Sequence, residues 1–348
     1  MIDFQPLEIG HKAMIEAVVR PSERRNCDFS FMNIFSWRFL YATEMALHEG
    51  WLLFRFKADG HLAYQLPLGG SDYRPIVEAL LADAERLGHP LLMLGVCEQE
   101  LPAVKAVLPD HYFAIAQRDY ADYLYRREAL ATLSGKRLQA KRNFANRFER
   151  LYPDHEILSL GPDHFAKCLQ LDTEWGKSKA DTGSEGGYAD ERKSLEEVFS
   201  HWGELDAHGI VLRVGGRVVA FTYGTPINYD TFDVCMEKAD TSYEGVYAAV
   251  NRAFARTIPP QYRYVNREED LGLEGLRRAK LSYCPERLLQ KYAIVANRRQ
   301  AESNQTCLNC RGAKEEDEVN RRQAESNQTC LNCRGAKEED EVNHPLGV

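Results

Sequence analysis

Ile210–Ile227 reads IVLRVGGRVVAFTYGTPI. Two runs rich in β-branched residues flank Gly215-Gly216, a dipeptide that accepts the positive φ angles of a two-residue hairpin turn. The stretch predicts a hairpin of Ile210–Val214 with Arg217–Ile227, and Thr231–Glu237 reads as the next strand. Val246, Ala249, Val250, Ala253, Phe254 and Thr257 then recur at the helical period. A strand at Arg263–Val265, a helix over Leu271–Leu281 and a strand at Leu288–Val295 close the series. The same order stands upstream. Trp51–Phe56 and Leu62–Leu68 bracket Ala58-Asp59-Gly60, and a helix carries Ile76, Val77, Leu80, Leu81 and Ala84 on one stripe. Strand Leu91–Val96, helix Glu98–Val107 and strand Tyr112–Ala116 follow. A meander followed by alternating helices and strands predicts a mixed sheet with helices on its faces. Its recurrence predicts an α/β protein of two tandem units, 1–118 and 119–296.

Beyond them, Asn297–Val319 recurs letter for letter as Asn320–Val342. The unit has few large apolar residues and an acidic run, so it cannot bury enough surface to offset its ordering entropy. Residues 297–348 are expected to be a disordered tail. Its Cys307-x-x-Cys310 and Cys330-x-x-Cys333 have zinc-ribbon spacing. The second pair exists only through the duplication and no apolar residues accompany it, so no metal is expected.

The chain of 348 residues is long enough for two cores, and its formal net charge of −8 confines any nucleic-acid contact to a local patch. No apolar run approaches the roughly 18–20 residues that span a bilayer. The start lacks the layout of a signal peptide, and nine cysteines, an odd number, read as reduced thiols. A cytoplasmic location is expected. Ser134–Arg150, SGKRLQAKRNFANRFER, supplies the local patch. On a helix, Leu133, Ala140, Phe144, Phe148 and Leu151 form one face, with Lys136, Arg137, Lys141, Arg142 and Arg147 around it. Such a face can carry tRNA backbone or anionic lipid headgroups, or can simply be solvated.

Three segments share a further pattern: Asp122–Tyr125 (DYLY), Leu133–Lys136 with Lys141–Asn143, and Tyr264–Tyr283, YVNREEDLGLEGLRRAKLSY. Together they resemble the C-terminal catalytic domain of bacterial phosphatidylglycerol lysyltransferases and its soluble relatives. Asp28–Trp37 is a weaker echo. The resemblance covers roughly residues 25–295 and implies a tandem pair of GNAT-type acyltransferase units. It also implies transfer of an aminoacyl group from charged tRNA, with an anionic lipid or a peptide as acceptor.

The block after Tyr264 leaves a strand and enters a helix, a common ligand position in α/β folds. Asn266, Arg267, Arg277, Lys280 and Ser282 are candidates for binding substrate, the cations for meeting a phosphate or carboxylate. Glu268 or Asp270 can serve as general base and Tyr283 as general acid, and the whole block is expected to form one pocket. Equally, Asp270 suits a helix cap and Glu274 with Arg278 an i,i+4 pair. CoA-using GNAT enzymes cradle pyrophosphate on a Gln/Arg-x-x-Gly-x-Gly/Ala turn at a helix N-terminus. Here the turn reads Ser242-Tyr-Glu-Gly245-Val-Tyr247, which disfavours acetyl-CoA, and no other cofactor is expected. The competing readings are a non-catalytic tandem module that binds an anionic ligand or nucleic acid, and a CoA-dependent N-acetyltransferase.

Overall fold

The computed structural model of the protein describes residues 1–58, 60–180 and 185–296. The tail, its repeat and both Cys-x-x-Cys pairs lie outside the described residues, as does Asp59 of the first hairpin. Among the described residues, twelve strands form one mixed sheet. They are β1 (Gln5–Pro6), β2 (Glu44–His48), β3 (Trp51–Ala58), β4 (His61–Gln65), β5 (Met93–Cys97) and β6 (Phe113–Arg126). The second half supplies β7 (Glu156–Ser159), β8 (His208–Val214), β9 (Arg217–Pro226), β10 (Thr231–Ala239), β11 (Tyr264–Asn266) and β12 (Arg287–Val295). Their order across the sheet is β1-β2-β3-β4-β5-β12-β6-β11-β10-β9-β8-β7.

Each half repeats one GNAT-like plan. An antiparallel meander leads into a helix that crosses to a parallel neighbour: β4, helix Arg74–Arg86, β5, and then β10, helix Val246–Thr257, β11. The β8–β9 hairpin turns at Gly215 and Gly216, with φ of +55° and +81°, as the dipeptide predicts. The strands that close the two halves are interleaved. β12, the last in sequence, pairs with β5 of the first half and with β6. β6 pairs with β12 along Phe113–Gln117 and again along Asp122–Leu124, and on its other edge with β11 along Leu124–Arg126. The boundary drawn at 118/119 therefore falls inside a continuous strand. A shared core joins the halves too, with Ile15, Phe29 and Phe35 clustering with Leu195, Val211 and Phe221.

The basic helix differs from its sequence reading. It spans Gln139–Leu151, five residues later than expected, so its buried stripe shifts to Ala145 and Phe148, with Phe144 partly covered. Leu133 is buried before the helix begins, while Ala140 and Leu151 face solvent. The helix packs beside Val246–Thr257 so closely that a β-carbon on Gly245 would stand 2.3 Å from the Phe144 carbonyl oxygen. Gly245 has a φ of +82° and is the N-cap of that helix. No helix among the described residues is long and apolar enough to cross a membrane.

Candidate active site

β10 and β11 pair over three residues each, Thr231–Asp233 against Tyr264–Asn266, and then part. β10 runs on to Ala239, while the chain leaves β11 through a turn in which Glu268 holds a φ of +54°. That left-handed conformation is costly for a non-glycine residue, so its surroundings must impose it. Asn266, fully buried, does much of this. Its amide donates to the Arg25 carbonyl (2.7 Å) and to Asp122 Oδ2 (2.8 Å), and its oxygen accepts from the Glu268 N–H (2.7 Å). From below, Lys280 Nζ donates to the carbonyls of Arg267 (2.7 Å) and Glu269. Lys280 thus clamps the backbone of the turn.

The turn distributes its charges over both faces of the sheet. Tyr123, Tyr125 and Val265 belong to the core beneath helix Val246–Thr257. Strand alternation therefore puts Asp122 and Asn266 on the opposite face, against the N-terminal helices. There Lys291 Nζ lies 2.7 Å from each of Asp28, Asp122 and Glu269, and 3.6 Å from Cys27 Sγ. Burial works against both charges, yet the carboxylates hold the Lys291 ammonium well above its usual range, and Lys291 holds the Glu269 carboxyl low. Asp122 also accepts the Cys27 N–H at 2.7 Å.

Next to this cluster stands a second one, which Lys291 does not touch. Donor atoms of Asp233, Cys235 and Glu268 lie within 4.8 Å of one another. Asp233 is fully buried and its Oδ1 has no hydrogen-bond partner among the described residues. Burial first, then mutual repulsion with Asp122 and Glu269, pushes the Asp233 carboxyl up to about 8. Glu268 is raised well above its usual value by burial and by Asp233. These groups suit a cationic guest, a metal ion or an ammonium. At the other set with metal-ligating atoms, Cys27, Asp122 and Glu269, the Lys291 ammonium already stands.

On the opposite face, a bulge between Val234 and Met236 shifts the alternation of β10 and brings Glu237 out beside Asn251 (3.3 Å). Arg267 Nη2 pairs with Glu237 at 2.9 Å, and its guanidinium lies over the rings of Tyr283 (4.9 Å) and Tyr125 (5.8 Å). Lys141 enters from the basic helix, 4.5 Å from the centre of the same Tyr283 ring.

The predicted block therefore does not form one pocket. It divides at the fork, because Arg267 and Glu268 leave the strand on opposite faces. Asp270 joins neither group. It is fully buried and accepts from Tyr123 (2.6 Å), Arg118 (2.9 Å), the Gly272 N–H (3.0 Å) and both ends of Arg277 (3.0 and 2.8 Å). Burial opposes its ionisation, but these donors hold its carboxyl below the usual range. Arg277 is spent on this carboxylate and on Asp119 (2.6 Å). Ser282 is exposed and caps the Ala279 carbonyl. Along the basic helix, Lys136 and Arg137 are exposed, Arg142 ties down the Leu133 and Gly135 carbonyls (2.6 and 3.2 Å), and Arg147 pairs with Glu244 (2.9 Å). Sequence reasoning assigned no role to Asp122, Asp233, Glu237 or Lys291. A detectable signal existed for two of them, since Asp122 lies between Ala121 and Tyr123 and Asp233 between Phe232 and Val234, each an ionisable residue with apolar or aromatic neighbours in a strand.

The profile described as "Phosphatidylglycerol lysyltransferase, C-terminal" matches residues 19–295, both halves and the fork between them. The chain belongs to this family. A conserved protein of unknown function from Bacteroides thetaiotaomicron VPI-5482 is 46% identical, with a TM-score of 0.82, covering 85% of this chain and 99% of that one. The structure of L-PGS from Bacillus licheniformis is 15% identical, with a TM-score of 0.65 over 88% of this chain and 97% of that one; this likeness is one of fold. An uncharacterised protein of Mycoplasmoides gallisepticum is 22% identical over 180 residues, 52% of this chain and 58% of that protein's length. Family membership supports an acyltransferase-type activity on a tandem GNAT-like scaffold.

Proposed function

We propose that the chain transfers an aminoacyl group from charged tRNA to an amine- or hydroxyl-bearing acceptor, an anionic lipid or a peptide, and that the β10–β11 fork is the reaction centre. The observation that carries this reading is the contact at Gly245. The helix N-terminus that would cradle the pyrophosphate of a CoA donor is covered by the Phe144 carbonyl, an acceptor facing where an anion would need donors. An ester-linked donor needs no such cradle. The unpaired carboxylates point the same way, since an aminoacyl group carries an ammonium that acetyl lacks.

In this reading Asp233 receives that ammonium. Glu268 takes the proton of the attacking amine or hydroxyl as it adds to the ester carbonyl, and a carboxyl raised toward neutrality is matched to this task. Collapse of the tetrahedral intermediate breaks the ester bond. Glu268, having taken the nucleophile's proton, returns one to the departing ribose oxygen; Tyr283, the acid expected from the sequence, stands across the sheet with Lys141 and is left without that role. Asn266 and Lys280 position the turn, and Asp270 with Arg277 anchors it.

The test is transfer from tRNA charged with labelled amino acids, with phosphatidylglycerol vesicles and an amine-bearing peptide as acceptors and acetyl-CoA as the competing donor. Label should reach an acceptor from tRNA. Acetyl transfer from acetyl-CoA, with none from any charged tRNA, would overturn the proposal.

A further inference from the structure

We propose that Asp233, Cys235 and Glu268 form a binding site for a divalent cation of the zinc class, and that the ion, once bound, shuts off transfer at the fork. The site itself goes beyond the reading above. Only the loss of transfer rests on that reading, because the ion would claim the carboxyl assigned as the base.

The argument begins with the donor set. β10 supplies Asp233 and Cys235, and the turn after β11 supplies Glu268. A bulge leaves Cys235 unpaired in the ladder, since Val234 pairs with Gly224 and Met236 with Tyr223 of β9. Cys235 Sγ donates to Asp233 Oδ2 across 3.5 Å. With bonds of about 2.3 Å to sulfur and 2.0 Å to oxygen, the sulfur–oxygen edge of a tetrahedral zinc site is also roughly 3.5 Å. The thiol proton now lies on that edge, and a zinc-class ion would replace it, releasing the proton to solvent. A carboxylate oxygen of Glu268 lies within 4.8 Å of the donor atoms of both other residues. Movement on the order of 1 Å would complete the triangle.

Asp233 carries the second, independent sign of a ligand. It is fully buried, and its Oδ1 has no hydrogen-bond partner among the described residues. A buried carboxylate left in that state is costly, and a bound cation would offset the cost. The neighbouring ammonium groups are engaged elsewhere, Lys291 by Asp28, Asp122 and Glu269, and Lys280 by two backbone carbonyls. Donor chemistry then selects the ion. Magnesium and calcium take oxygen ligands, whereas a thiolate with two carboxylates suits zinc, and three protein ligands leave a fourth position for water. Cys235 and Glu268 are only partly buried, which gives the ion a way in. The Glu268 N–H, held by Asn266 at 2.7 Å, fixes the turn in advance. The ion and the aminoacyl ammonium would compete for Asp233, and Glu268 cannot take a proton while it ligates a metal.

The experiment titrates the full chain with cadmium, which reports a bound thiolate by an ultraviolet charge-transfer band. The background carries Cys307→Ser, Cys310→Ser, Cys330→Ser and Cys333→Ser, so that the tail contributes no thiolate. The band should saturate at one equivalent and vanish in Cys235→Ala, and Asp233→Asn should weaken binding about tenfold or more. Should Cys235→Ala fail to fold, the rise in melting temperature on adding zinc, present in the parent and absent in Asp233→Asn, reads the same site. In the transfer assay zinc should inhibit the parent, and Cys235→Ala should need about tenfold more zinc for the same inhibition. Absence of the band at millimolar cadmium overturns the site. So does a band that survives Cys235→Ala and disappears in Cys27→Ala, which would put the ion beside Lys291. Transfer that continues at full occupancy overturns the shut-off. The two proposals fail separately. Metal bound through Cys235 in a protein that transfers nothing from charged tRNA would sink the transfer reading alone, and transfer without metal binding would sink the site alone.

Discussion

The two faces of the fork are built from one five-residue turn, yet they solve opposite electrostatic problems. On the N-terminal face five carboxyl groups, Asp28, Asp122, Asp233, Glu268 and Glu269, stand against two ammonium groups, Lys291, which touches three of them, and Lys280, which acts on Glu268 and Glu269. On the other face Arg267 and Lys141 share a single Glu237. One side is short of positive charge and the other of negative. The comparison teaches that a substrate charged at two points, an ammonium and an anion, would offset both deficits at once, whereas acetyl-CoA would meet a closed helix terminus. It also separates structural from functional ionisation. Asp270 is surrounded by donors and Glu268 is not, although two positions divide them.

The largest effect should come from removing the ion that balances the acidic face. Lys291→Met would leave buried carboxylates uncompensated and should cost about 3–5 kcal/mol in urea unfolding. A loss below about 1 kcal/mol would mean that the cluster is held together in some other way. The next effect concerns the closed terminus. Gly245→Ala combines a positive φ with a backbone contact at Phe144 and should cost roughly 2 kcal/mol or more. Gly216→Ala, at a similar φ with open space around it, should cost only about 1 kcal/mol. Equal losses would remove the close approach from the account.

Smaller shifts come from titration. Asp233 has a folded pKa of about 8 against a reference of 3.8, so the stability tied to its proton is complete below 3.8 and is lost as pH rises toward 8. Asp233→Asn does not titrate. Its melting temperature relative to the parent should therefore climb from pH 4 to pH 8, and a flat difference would contradict the assignment.

Much of the fold was legible in the sequence because its signals are local. The Gly215-Gly216 turn and the stripe from Val246 to Thr257 each report a period or a turn within a dozen residues, and the observed elements match them closely. The interleaving of β12 between β5 and β6 was not legible, since pairing between Lys291 and Cys97 leaves no local mark. The site shows the same divide. Asn266–Tyr283 stood out as a run of charges, but its division between two faces depends on the φ of Glu268 and on a bulge in β10, which neighbouring residues do not announce. Lys141 read as one cation of a helix face that could meet tRNA backbone, lipid headgroups or solvent. Starting the helix at Gln139 shifts its buried stripe and carries that one lysine inward.

The central claim, that the fork is a catalytic centre with Glu268 as its base, is tested most directly by the single-turnover rate of aminoacyl transfer in Glu268→Gln. The account predicts a fall on the order of a hundredfold, with the melting temperature at neutral pH held or raised because a raised carboxyl has been removed. A rate within a few-fold of the parent, in protein that melts as the parent does, would contradict it.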